Sequence, residues 1–353
     1  METTTDSPVT LRDDVAHGVV VRPLDIHDDA EVAAAHEASN ASKKYQRPWG
    51  KTWSLREMTV QLRSESTVER LEPIVALVDG RVAGLALLWF PLLDNTQFTW
   101  AELDVDPELR HRGAGGALIE RMIERTREEG RRTVLVETNV PDDAREGHPH
   151  ARFAERHGFT YANTEIRRIL DLPLDPGRLT ELAAGAAAHH EGYRIEFHRG
   201  SLPEELQASY CECWNQLAVD APTGEVDFEE EALSPETYLE ELGRLQAQGR
   251  TMLHTVAIAP SGEVVAYNDL VVSADDPDEV MQWGTLVRKD HRGHRLGMAV
   301  KARGLQGLAE VAPEAKRVQT CNAEQNAHMV GVNVELGFRR VEALLAYQRH
   351  LDG

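Results

Sequence analysis

Cysteine is scarce in this chain, with three in 353 residues. That odd, small number excludes a disulfide framework, and the Cys211–Cys213 pair lacks the second pair that a structural zinc site needs. Basic residues are also short: 38 Lys and Arg stand against 59 Asp and Glu, a formal net charge of −21 at pH 7. Such a balance argues against non-specific nucleic-acid binding, which draws on neutralised phosphates, and favours cationic partners. Long apolar runs are missing. The longest, Val82 to Leu93, is broken by Pro91 and is too short to span a bilayer. Residues 1–17 have neither the basic nor the apolar segment of a secretion signal, so they read as a polar, flexible leader. These absences lead us to expect a cytoplasmic protein with no membrane segment, no nucleic-acid partner and no metal.

What is present is a repeat. The length predicts two domains, and a hydrophobic fraction of 41% is that of a globular chain. R-H-R-G-A-G-G-A at 110–117 and H-R-G-H-R-L-G at 291–297 each lie between an apolar segment and an amphipathic one. Each half then has a short apolar strand ending in Asn (134–139 and 318–322) and a helix closing on Gly-Phe. Gly113 and Gly293 lie 180 residues apart, and Gly158 and Gly337 lie 179 apart. One shared offset points to duplication. In the first half we expect a strand at 19–24, helices at 28–39 and after Ser54 (with a Ser54–Glu57 capping box), a hairpin turning at Asp79-Gly80, a strand at 97–105, and a helix buried through Leu118, Ile119, Met122 and Ile123. The second half repeats the order: a strand at 193–198, helices at 203–217 and 235–248, a hairpin turning at Ser261-Gly262, a strand at 280–287 and a helix from Leu296. The domains are thus 18–172 and 193–353, joined by a linker at 173–192 whose alanine-rich stretch after Pro173 and Pro176 reads as helix, and the class is α+β, mostly antiparallel sheet flanked by helices.

The glycine-rich segment has its own chemistry. A strand, a tight Gly turn and a helix start aim several backbone N–H groups and the positive end of the helix dipole at one point. Gly113, Gly115 and Gly116 allow a pyrophosphate to approach, while Arg110 and Arg112 add charge. The segment lacks the Lys-Ser/Thr ending of a Walker A loop, and no dinucleotide-binding βαβ unit follows.

The R-x-x-G-x-G/A form at 110–115, introduced by Val105-Asp106-Pro107 and closed by a helix and Gly-Phe, resembles motif A and motif B of the GNAT N-acetyltransferase superfamily. The resemblance covers most of 19–172 and 193–350, and the tandem layout is similar to that of mycothiol-synthase-like acetyltransferases. It implies acetyl-CoA as cofactor, in a wedge between splayed fourth and fifth strands. The pantetheine arm would run by Val105 in one copy and by Thr285, Leu286 and Val287 in the other. The diphosphate would rest on Arg110, Arg112, Gly113, Ala114, Gly115, Gly116 and Ala117, or on His291, Arg292, Gly293, His294, Arg295, Leu296 and Gly297, with Asn322 and Asn326 beside the second wedge.

Both copies depart from the family pattern. Gly147 and Ala154 stand where the family usually has Asn and a thiolate-protonating Tyr; the second copy keeps Asn326 but has Asn333 at the Tyr position, and Arg295 replaces a loop glycine. Candidate bases are Glu102, Asp104 and Glu137 in the first copy and Glu279 in the second, and Cys321 falls near the thioester position. The acidic stretch 220–231 reads as the rim of the second copy's acceptor pocket, and 43–53 of the first copy's is basic and aromatic. These features imply direct N-acetylation of a small-molecule, cationic amine (an antibiotic or a polyamine) by a monomer or homodimer, catalysed by the C-terminal copy. A non-catalytic acyl-CoA sensor and an acetyltransferase of protein or peptide amines are the alternatives.

Overall fold

The computed structural model describes residues 14–16, 18–222, 224–226 and 228–351, so most of the 1–17 leader lies outside the described residues. The first copy begins with β1 (Asp14–Ala16), β2 (Val19–Pro23), α1 (Asp29–Lys44), α2 (Leu55–Arg63) and the hairpin β3 (Glu69–Val78) and β4 (Arg81–Pro91). It continues with β5 (Phe98–Val105), α3 (Ala114–Glu128), β6 (Thr133–Pro141), α4 (Pro149–Arg156) and β7 (Thr160–Asp171). The linker carries the expected helix, α5 (Pro176–Ala187), which packs onto the fold and buries Leu179, Leu182 and Ala186. The second copy contains β8 (Arg194–Arg199), α6 (Glu204–Asn215), α7 (Leu217–Asp220), α8 (Pro235–Ala247), β9 (Arg250–Ile258), β10 (Val264–Ser273) and β11 (Asp276–Val287). It ends with α9 (Leu296–Val311), β12 (Arg317–Ala323), α10 (Ala327–Leu336) and β13 (Arg339–His350).

Local sequence explains most of these elements. Ser54 and Glu57 form the expected capping box at α2. Asp79 and Gly80 both take positive φ, 52° and 76°, as a two-residue hairpin turn requires. Leu118, Ile119, Met122 and Ile123 face one core. The splayed strand of the second copy starts earlier than expected, at Asp276 rather than 280.

Among the described residues the strands form one 13-stranded sheet in the order β1-β2-β3-β4-β5-β6-β13-β7-β12-β11-β10-β9-β8. The final strands cross over: β13 pairs with β6 of the first copy, while β7 pairs with β12 of the second. The cores follow the strands. Ala343, Leu345 and Tyr347 of β13 join the first copy's core, and Leu170 of β7 joins the second's. Each copy is completed by the other's last strand.

Polar contacts also tie the copies together. Glu57, 1% exposed, accepts from Arg250 Nε (2.7 Å) and Ser273 Oγ (2.7 Å) across the junction. Removing the carboxylate leaves Arg250 facing an enclosed gap. Glu57→Ala is therefore expected to lower unfolding free energy by about 3 kcal/mol in urea titrations, against about 0.5 kcal/mol or less for an exposed control.

Candidate active site

Strands β5 and β6 run parallel and are bridged only from Phe98–Thr133 to Ala101–Val136. Beyond that pair they part, so backbone groups facing the gap lose their sheet partners and are available to a ligand. The gap opens into a cleft of about 1520 Å³ whose walls include Val105, Arg110, Gly113, Gly115 and Gly116. At the loop, Arg110 donates from Nε to Val105 O (3.3 Å) and lies over the Tyr45 ring. Gly113, at φ 94°, is the N-cap of α3. A Cβ on Gly115 would lie 3.1 Å from Phe153 Cζ. A side chain there would fill the cradle that the first amides of α3 surround, and this fits a diphosphate.

Not every loop residue expected to hold the cofactor faces the cleft. Arg112 is turned away to Asp79 of the β3–β4 turn. Ala114 is buried, and Ala117 packs on the core, so any contribution from them is through the backbone.

Immediately after the last bridged pair come Glu102 on β5 and Glu137 on β6, and both line the cleft. Glu102 is paired with Lys43 at 2.7 Å, and Asp104 lies 3.7 Å from the same ammonium. Burial alone would lower the Lys43 pKa, but the two carboxylates outweigh it and hold the ammonium charged. Burial pushes Asp104 above the ordinary carboxylate range in spite of Lys43. Asp104 also accepts from Ser39 Oγ at 2.7 Å, a structural engagement. Glu137 differs. Enclosed by the cleft walls and facing the charges of Glu165 and Glu102, its carboxyl is pushed up to about 7. Glu165, on β7, is raised by burial as well, with Arg167 pulling against it. A carboxylate of this kind can accept a proton near neutrality and release it again.

The second wedge has a different interior. Strands β11 and β12 are bridged from Glu279–Arg317 to Met281–Gln319. The next residues, Gln282 and Thr320, close the apex with a 2.9 Å hydrogen bond where the first copy has two carboxylates. At the loop, Arg292 repeats the Arg110 contact, with Nε on Val287 O at 3.2 Å. Arg295, at φ 52°, caps α9 as Gly113 caps α3. The equivalent of Gly113 is thus Arg295 and not Gly293, which corrects the offset at the loops from 180 to 182 residues.

The second loop is also occupied by its own side chains. Asp220, with a side chain 4% exposed, sits between Lys289 (2.5 Å) and Arg292 (3.2 Å). His291 binds Tyr193 Oη, His294 binds His189 O, and Arg295 pairs with Glu335. Leu296 and Gly297 are buried in the start of α9, and Leu286 and Val287 lie against the core. Thr285, Asn322 and Asn326 line the cleft; none of 286–297 does.

Two expected catalytic residues lie away from the open space. Glu279 is buried, accepts from Gln319 Nε2 (2.6 Å) and pairs with Arg317, so it has no route to a substrate amine. Asn333 is fully buried, accepts from Lys301 Nζ (2.9 Å) and donates to Asn322 Oδ1 (2.5 Å), tying α10 to α9 and β12. Cys321 does reach the cleft, but burial pushes its thiol up to about 12, which keeps it protonated and unreactive.

Lys301 itself was not singled out from the sequence. Burial lowers its pKa to about 7, so between there and the unfolded lysine value the unfolded chain binds the extra proton. Stability should rise with pH across that window. Melting temperatures measured from pH 7 to 10 are expected to climb less steeply for Lys301→Met than for the native chain.

Glu165, Arg167 and Trp214 of α6 also line the cleft, which the sequence does not predict, and Phe228 and Glu231 of the acidic run 220–231 line it beside the first copy rather than the second. Only strand exchange and contacts between copies bring them there. At the family's Tyr position, Ala154 offers no hydroxyl. One turn earlier His150 faces the same space, its ring nitrogen 3.2 Å from Asn139 O and its pKa lowered by burial.

Residues 39–159 match the model of the acetyltransferase (GNAT) family. No curated protein sequence matches the chain. Among solved structures, a tandem GNAT protein from the clavulanic acid biosynthesis pathway is similar at 25% identity, with a TM-score of 0.76, over 95% of this chain and 99% of that one. A GCN5-related N-acetyltransferase from Sphaerobacter thermophilus shares the fold at 15% identity (TM-score 0.62, 96% and 97% covered). So does N-myristoyltransferase of Saccharomyces cerevisiae, solved with myristoyl-CoA, at 12% identity (TM-score 0.59, 99% and 82% covered). Residues 39–159 thus form a GNAT acetyltransferase domain, the second copy repeats its plan, and the chain as a whole shares the layout of tandem GNAT N-acyltransferases.

Proposed function

We propose that the protein N-acetylates a primary amine of a small molecule from acetyl-CoA, and that the first copy, rather than the second, is catalytic. The observation carrying this reading is that Glu102 and Glu137 stand where β5 and β6 part, in the cleft that the first glycine loop faces. Arg110, Gly113, Gly115 and Gly116 would hold the diphosphate, and backbone near Val105 the pantetheine arm. Bound there, acetyl-CoA supplies the activated acyl group. Glu137 accepts the proton of the incoming amine, and Lys43 fixes Glu102 beside it. The unpaired strand backbone at the gap polarises the acyl carbonyl and holds the amine in line. A thiol leaves tolerably without a hydroxyl donor, since its pKa is near 8.5, so Ala154 is compatible with turnover.

We assign residues 18–172 and 193–353 to the two copies, with 173–192 between them, acting in the cytoplasm as a monomer or homodimer. The missing Tyr in both copies favours a second reading, an acyl-CoA sensor. Thiol release from acetyl-CoA, followed with and without small amines, decides between them: amine-dependent release supports transfer, and binding without release supports the sensor. Acetylation of peptide amines but not of free small amines would put the acceptor in another class.

A further inference from the structure

The acidic segment expected to rim the second copy's pocket is instead a strap laid across the first copy. At one end Asp220 is clamped by Lys289 and Arg292 of the second loop. In the middle Gly224 lies so close to β7 that a Cβ would fall 2.2 Å from Ala162 O, and Glu225 N donates to that oxygen. At the far end Glu229 and Asn95 exchange hydrogen bonds of 3.0 and 2.9 Å, and Ala232 N donates to Asp94 Oδ2 at 2.9 Å. Phe228 stacks on Trp100 at 5.5 Å. The second loop, no longer open to an anion, anchors the strap.

We infer that the strap is the acceptor wall of the first copy, and that Glu231 is a subsite for a second ammonium group of the acceptor. Glu231 lines the cleft with Trp214, Trp100 and Phe228. Its polar partner is the Trp214 side chain, its charged neighbour is another carboxylate, Asp94, and among the described residues no cation pairs with it. Burial beside Asp94 pushes its carboxyl up to about 7, a strain that an arriving cation relieves. Flat aromatic faces around a carboxylate suit an ammonium twice over, by charge and by ring quadrupole. Behind Trp214, the Tyr267 hydroxyl is fully buried against Gly284 and has no hydrogen-bond partner among the described residues. The charged neighbour of Glu231 is Asp94, whereas those of Glu137 are Glu165 and Glu102. The cleft therefore has two separate anionic centres, one at the proposed point of transfer and one on the strap. An acceptor with two amines spans them.

This rests on the proposed reaction only for the role of the Glu137 end. It is tested by calorimetry of spermidine and n-butylamine binding, with and without coenzyme A, so the outcome does not depend on turnover. The native protein is expected to bind spermidine about tenfold or more tighter than n-butylamine. Glu231→Gln should erase that preference and Glu231→Asp keep most of it, with coenzyme A affinity unchanged in both. Equal binding of the two amines by the native protein, or a preference that survives Glu231→Gln, overturns the inference. Failure of coenzyme A to bind would instead count against the proposed reaction.

Discussion

Replacing Glu137 by Gln is expected to lower kcat by about 10²- to 10³-fold while leaving the KM for acetyl-CoA nearly unchanged. The amide keeps the volume and the hydrogen-bonding atoms but cannot take a proton. Because burial and its acidic neighbours hold the native carboxyl at about 7, kcat of the native enzyme should rise with pH through that point as the base form accumulates. The variant should lose that step. Glu102→Gln provides the contrast. Glu102 is already committed to Lys43, so its loss should cost less and should lower the pH of the step, since one of the charges raising Glu137 disappears. If Glu137→Gln retains full kcat, the assignment of the base fails.

The second large effect concerns the loops. Gly115→Glu should weaken coenzyme A binding at least ~100-fold, about 2.7 kcal/mol, by placing a side chain in the cradle and a negative charge at the positive end of α3. Gly115 has Phe153 3.1 Å from its would-be Cβ, so the new side chain has no inward refuge. Gly297→Glu should leave coenzyme A affinity within about twofold, provided circular dichroism shows it folded, because the second loop already seats Asp220. Loss of binding in Gly297→Glu alone would reassign the coenzyme to the second copy.

Local chemistry was readable from the sequence and long-range pairing was not. The Ser54 cap, the Asp79-Gly80 turn and the α3 face depend on neighbours within a few residues, and all appear as expected. The loop equivalence slipped because register shifts between β10 and β11 place extra residues near Trp283 and Gly284, which no motif spacing reveals. Glu137 was visible as a carboxylate on a strand, but its raised pKa comes from burial in the cleft and then from Glu165, a residue of the strand beyond β13. The run at 220–231 announced its charge correctly and its address wrongly: what decided its place was Phe228 and Val226 packing with Phe98 and Leu135, apolar contacts across two copies.

Strand exchange sets the order in which the molecule can be made. Thr133 hydrogen-bonds His350, 217 residues further along, so the first half's sheet cannot close until the final stretch of polypeptide has been synthesised. Neither half is a self-sufficient unit that recombination could transplant. Duplication here has produced a single cooperative object, with long loop closures that favour slow maturation and an obligation for both halves to persist together.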